Sequence, residues 1–189
     1  MLLLGHIGYT VGAVATLEGA ARGRLSVDYR AVAVMSLAPD IIDRGLFVFA
    51  LPSAMGGRLV AHTLLFQAIL FSALVLVNPR FWIYGAASAF HLILDTTHPS
   101  VAWAHHVLWP FLGADWKAVD IAPGLAKDLG SYSDWTVARA QTVLAPYQAD
   151  DWLAWALELG GALVLAWFVY RRRLYRVPRL REFLVKGSA

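Results

Sequence analysis

Two pairs of side chains in this sequence have the types and spacing of a cation site. His91 and Asp95 are four apart in FHLILDTTHP, and Asp40 and Asp43 are three apart in LAPDIIDRGL; on a helix either spacing stacks the pair on one face. His62 in GRLVAHTLLF and His6 in GHIGYT lie in further apolar runs. At membrane depth an ionisable group costs several kcal/mol unless it is paired, so so many in apolar segments call for a common partner. A divalent cation neutralises buried carboxylates and takes imidazole nitrogens as ligands. The chain has no cysteine, so thiolates are excluded, and a His and carboxylate set suits zinc, manganese or iron better than copper or calcium. With one coordination position open, such an ion lowers the pKa of bound water toward 7. Hydrolysis of a phosphoester or similar bond is the chemistry this combination favours.

The elements that position these groups read as membrane spans. The chain has 189 residues, of which 59% are hydrophobic and 15% charged, with a mean hydropathy of +0.56; that is well beyond the roughly half-apolar, quarter-charged soluble average. Five apolar segments are expected as helices, over about residues 2–20, 31–51, 59–77, 81–95 and 152–170. In the last, WLAWALELGGALVLAWFVY has aromatic residues at both ends and stops at RRRLYR, the aromatic belt and basic flank of a span. Phe81 to Asp95 makes a helix of about 22 Å, short of the roughly 30 Å hydrocarbon core, so its end is recessed or extended. The expectation is one membrane-embedded domain, 1–189, an all-α integral membrane bundle of about five transmembrane helices. Residues 96–151, where Trp103, Trp109, Trp116 and Trp135 mix with Pro, Gly and acids, read as an interfacial segment.

Topology follows from Lys and Arg. Eleven of the sixteen fall on the side of Arg22, Arg24, Arg30, Arg80 and the basic C-terminal stretch, which places the C-terminus in the cytoplasm and the N-terminus outside, in a multi-pass cell (inner) membrane protein. The first apolar run has no Lys or Arg before Arg22 and is read as part of the mature fold rather than a signal peptide. This orientation puts His6, His62, His91 and Asp95 toward the outer face. Pro39 is expected to disturb the preceding turn and widen the chain near Asp40 and Asp43. The net charge of +3 gives no case for nucleic acid as a specific partner, since the basic residues flank hydrophobic runs; membrane lipid is the expected partner.

Several of these blocks together, GHIGYT, LAPDIIDRGL, GRLVAHTLLF, FHLILDTTHP and LWPF at 108–111, resemble the membrane-bound metal-dependent hydrolase family also described as LexA-binding inner-membrane hydrolases. The resemblance covers roughly residues 1–113. That family is similar to the helical zinc-dependent phospholipase C and P1 nuclease group, and the resemblance implies a core of that kind. It further implies Asp40 or Asp43, then His62, then His91 and Asp95 around a first ion, with His6 a candidate for a second ion sharing a carboxylate. Many members carry another His just before the Arg of the block holding His62, where this chain has Gly57. One or two ions are therefore expected.

The resulting expectation is a hydrolase of a phosphoester in a lipid or lipid-linked substrate, with Asp40, His62, His91 and Asp95 as ligands and Asp43 orienting the attacking water. Arg44 and Arg58 could hold a substrate phosphate; the plainer reading pairs Arg44 with Asp40 or Asp43 and leaves Arg58 as a headgroup-level anchor. His98 is either a substrate-side group or a structural interfacial histidine. Glu158 is expected to face the bundle, where Arg, Tyr or a backbone group would pair with it. Two rival functions use the same cluster. A metal or proton transporter would need polar residues running on toward the cytoplasm, where Ser72 and Glu158 are the candidates; an inactive scaffold would keep the site for stability.

Overall fold

A computed structural model describes residues 3–22, 24–49, 60–97, 107–108 and 152–188, the side chains of Phe47 and Val48 excepted. The expected interfacial segment lies almost wholly outside the described residues. Among the described residues every regular element is helical: α1 (Leu3–Ala20), α2 (Tyr29–Phe49), α3 (Leu64–Val77), α4 (Trp82–Asp95), α5 (Trp152–Arg171) and α6 (Val177–Lys186), with 3-10 turns at Val60–His62 and Pro79–Phe81. The described part of the chain is all-α, as its apolar runs imply. The third run divides: Val60–His62 forms a tight turn, and Thr63 caps α3 by accepting the Phe66 N–H at 3.1 Å. Only α5 is long and apolar enough to cross a membrane among the described residues, with a mean hydropathy of 1.7; α3 is apolar but has 14 residues.

Helix α1 packs along α5, α2 along α4, and α3 along α4. Glycines set the first contact. A Cβ on Gly8 would strike the Gly161 carbonyl oxygen, and one on Gly161 would lie 2.5 Å from Gly5 Cα, so only hydrogen lets the backbones approach, as in small-residue helix contacts within membranes. Glu158 then ties α5 to the start of α1. Its Oε2 accepts the N–H groups of Leu4 at 3.0 Å and Gly5 at 3.1 Å, satisfying donors that have no partner within the helix. The backbone option expected for Glu158 is thus the one adopted, and it holds His6, the next residue, in place.

At the other end Val11, Val14, Val27, Tyr29, Val32, Ile83, Ala87, Phe168 and Leu174 form a buried apolar cluster drawing on α1, α2, α4 and α5. Beyond it, Glu18, Tyr29 and Arg172 form a hydrogen-bonded set in which Tyr29 Oη donates to Glu18 at 2.8 Å and Arg172 pairs with Glu18. Helix α6 is clamped to the start of α2: Arg30 donates to the carbonyls of Leu184 at 2.7 Å and Val185 at 3.1 Å, and the Tyr29 N–H donates to Gly187 at 2.8 Å. Gly187 ends α6 at φ 71°, a left-handed conformation suited to glycine; a Cβ there would also strike the Asp28 carboxylate.

Candidate metal centre

Three helices and one tight turn bring the predicted groups to one end of the bundle. His6 comes from the first turn of α1, Asp40 and Asp43 from the middle of α2, His62 from the turn before α3, and His91 with Asp95 from the last turns of α4. His6, Asp43, His62, His91 and Asp95 are buried, while the Asp40 side chain keeps 19% of its surface.

The ring tautomers follow from what holds each Nδ1. His91 Nδ1 lies 2.7 Å from the Ser36 carbonyl oxygen, which can only accept, so this nitrogen carries the proton. Pro39 sits inside α2, and its missing N–H and crowding ring loosen the preceding turn that contains this carbonyl. His62 Nδ1 donates to Asp43 Oδ2 at 2.7 Å. Both rings therefore present bare Nε2 lone pairs inward, and these two atoms are 3.2 Å apart. Two facing lone pairs at that distance repel unless a proton or a cation lies between them.

Carboxylate oxygens complete the set. Asp40 Oδ1 lies 3.6 Å from His62 Nε2 and 3.8 Å from His91 Nε2; Asp95 Oδ2 lies 3.6 Å and 3.8 Å from the same two atoms. A tetrahedral ion with bonds of 2.0–2.2 Å separates its ligand atoms by about 3.3–3.6 Å, and the spacing of each carboxylate from the two imidazoles is close to that range. Asp95 uses its other oxygen toward α1: His6 Nε2 is 3.2 Å from Asp95 Oδ1. The contact lacks hydrogen-bond alignment, and both His6 nitrogens are buried without a hydrogen-bond partner. The His6 ring stands edge-on to His91, with centroids 3.8 Å apart. Buried His and Asp groups here could hold a metal ion, in two overlapping sets, His62–His91–Asp95 and His6–Asp40–His91.

Asp43 is placed differently from the water-orienting role expected of it. Its Oδ1 accepts the Ala61 N–H at 2.8 Å, and its Oδ2 accepts the His62 N–H at 3.1 Å besides the ring. It thus binds the turn that carries His62 and fixes that ring from behind, as carboxylates do for metal-bound histidines. Gln67 holds the same turn from α3, donating to the Ala61 carbonyl at 2.7 Å. Arg44 pairs with Asp40 at 3.3 Å, and its side chain remains 40% exposed. Arg58 and His98 lie outside the described residues.

Among the described residues, the polar character beneath the ligands gives way within about one turn. Thr10, Ser36 and Ser88 each lie one helical turn from a ligand, Thr10 after His6, Ser36 before Asp40 and Ser88 before His91, and all three are buried. The next turn supplies Val14, Val32, Ile83 and Ala87 of the apolar cluster. Glu158, instead of extending a path toward the far end, sits at the ligand end beside α1. Reasoning from the sequence missed the Ser36 carbonyl, because a backbone acceptor has no residue-type signature; its one signal is a helical turn's separation from Asp40.

Compared with known protein families, curated proteins and solved structures, the chain matches none.

Proposed function

We propose that the protein is a membrane-embedded, divalent-metal-dependent hydrolase acting on a phosphoester in a lipid or lipid-linked substrate. The observation that carries this reading is the meeting of the His62 and His91 Nε2 atoms at 3.2 Å, flanked by carboxylate oxygens of Asp40 and Asp95. Asp40, His62, His91 and Asp95 would hold zinc, or manganese or iron, and His6 stands beside Asp95 for a second ion. When bound, the ion supplies Lewis acidity and an activated water.

The chain's own residues do the rest. Asp43 and Ser36 fix the two imidazoles as neutral ligands with their lone pairs inward. Arg44, half-exposed at the rim and paired with Asp40, is the group that would receive a phosphate oxygen by charge-assisted hydrogen bonds. The apolar layer of Val14, Val32, Ile83 and Ala87 below the hydroxyls of Thr10, Ser36 and Ser88 would keep water from passing toward the bundle's other end. A lipid-borne substrate suits a recessed site because it can enter laterally. In this reading five segments span the membrane, with the N-terminus and the site outside and the C-terminus in the cytoplasm.

The apolar layer below Thr10, Ser36 and Ser88 favours hydrolysis over transport, because a permeating ion would have to cross Val14 and Val32 without ligands. Purified protein in detergent, stripped of metal and reloaded, separates the two. The expected result is metal-dependent hydrolysis of a generic phosphodiester, abolished in His91→Ala, with no metal flux into liposomes. Flux without hydrolysis would instead identify a transporter.

A further inference from the structure

At the end of the bundle remote from the metal centre, a cavity of about 530 Å³ opens between α1 and α5, walled by Glu18, Gly19, Trp167, Phe168, Arg171 and Arg172. Its charges are unequal. Arg172 pairs with Glu18 and hydrogen-bonds Tyr29 at 3.1 Å, which neutralises the one acid. Arg171 is exposed and lies over the Trp167 ring, 5.9 Å from its centroid. The wall therefore carries a net positive charge with an aromatic shelf beneath it.

An apolar lane leads away from this cavity along one face of α5. Trp167, Leu163 and Leu159 precede Arg171 at intervals of four, and are 47%, 62% and 62% exposed. From Arg171 to Leu159 the helix rises about 18 Å, the length of an extended acyl chain of common size. Arginine above a Trp at the end of such a lane is the arrangement that meets a phosphate at the headgroup level of a bilayer.

The geometry points to a structural site for one anionic phospholipid, its headgroup phosphate on Arg171 in the cavity and an acyl chain along Trp167, Leu163 and Leu159. It rests on α5 spanning the membrane and not on the hydrolase reading. Its chemistry differs from that of the metal centre: a monoanionic phosphate diester held for binding, at the opposite end of the bundle.

Two variants perturb the site by separate means. Arg171→Gln removes the charge. Gly19→Phe fills the cavity, since a Cβ at Gly19 meets nothing within 4 Å. The full-length protein, in detergent with equal phosphatidylglycerol and phosphatidylcholine, is read by native mass spectrometry, with inorganic phosphate as a competitor and metal content measured on the same samples. The expected result is one phosphatidylglycerol retained per chain in preference to phosphatidylcholine and not displaced by inorganic phosphate. Each variant should lower that retention about fivefold or more with metal content unchanged, while Arg179→Gln on α6, outside the cavity, retains the lipid as the wild type does. Equal retention of the two lipids would overturn the site, as would unaltered retention in both variants or an equal loss in Arg179→Gln.

Discussion

His62 and His91 face each other through their Nε2 atoms at 3.2 Å, while Asp43 and the Ser36 carbonyl hold the two Nδ1 atoms at 2.7 Å each. The arrangement spends both ring protons outward and leaves an electron-rich gap inside. Removing either imaginable occupant, proton or cation, would set the lone pairs against each other. The expected consequence is that His62→Ala and His91→Ala each lower metal affinity beyond the roughly 10–100-fold that loss of an outer partner costs, as isothermal titration of the stripped protein would measure.

Asp43→Asn tests the supporting role by itself. The amide keeps the shape but weakens the acceptors that serve the His62 ring and the Ala61 and His62 N–H groups. Metal affinity should fall about 10–100-fold without loss of full occupancy at saturating metal. If Asp43 were a ligand or a base instead, the variant would fail to fill, or would bind normally and lose only turnover.

The glycine contact between α1 and α5 predicts opposite signs at two glycines. Gly8→Ala places a methyl group against the Gly161 carbonyl and should destabilise the protein by about 1–3 kcal/mol. Gly45→Ala, on α2 with open space around it, should be neutral or stabilising by about 0.4–1 kcal/mol. Denaturant or thermal unfolding in detergent compares the two, and a similar effect at both positions would contradict the packing account.

The clamp on α6 should respond to acid. The hydrogen bond from the Arg30 side chain holds the Asp28 carboxyl below its usual range. A lowered folded-state pKa means that the contribution is present above the unfolded value near 4 and is lost as pH falls through the lower folded value. Exchange of the Tyr29 amide, which donates to Gly187, should stay protected at pH 5 and gain an acid-dependent opening below pH 4, and Asp28→Asn should remove that dependence.

Much of this was legible in the sequence, for identifiable reasons. Long apolar runs located α1 to α5, and α5 falls at Trp152–Arg171 where aromatic ends and a basic flank marked it; α6, in a basic stretch with no apolar run, was not legible. The four-residue spacing of His91 and Asp95 placed both on one face of α4. The division of labour between Asp40 and Asp43 was not legible, because residues three apart share a face and spacing alone does not say which carboxylate looks into the bundle. Nor was the break at Val60–His62, whose tight turn depends on tertiary acceptors and donors from Asp43 and Gln67. The number of spans is the coarsest point: α5 has the length and hydropathy to cross a bilayer, whereas His, Asp and Pro dilute the apolar character of α1, α2 and α4 for the same reason that those helices carry the site.

In the proposed function, imidazoles and carboxylates from separate helices share one cation. Elemental analysis of the purified protein after loading and removal of free metal tests it most directly, comparing wild type with Asp95→Ala and with Arg179→Gln as a surface control. The account predicts at least one tightly held divalent ion per chain in the wild type and the control, and a loss of that ion in Asp95→Ala. A wild-type protein that retains no metal, or an Asp95→Ala variant that retains as much, would contradict it.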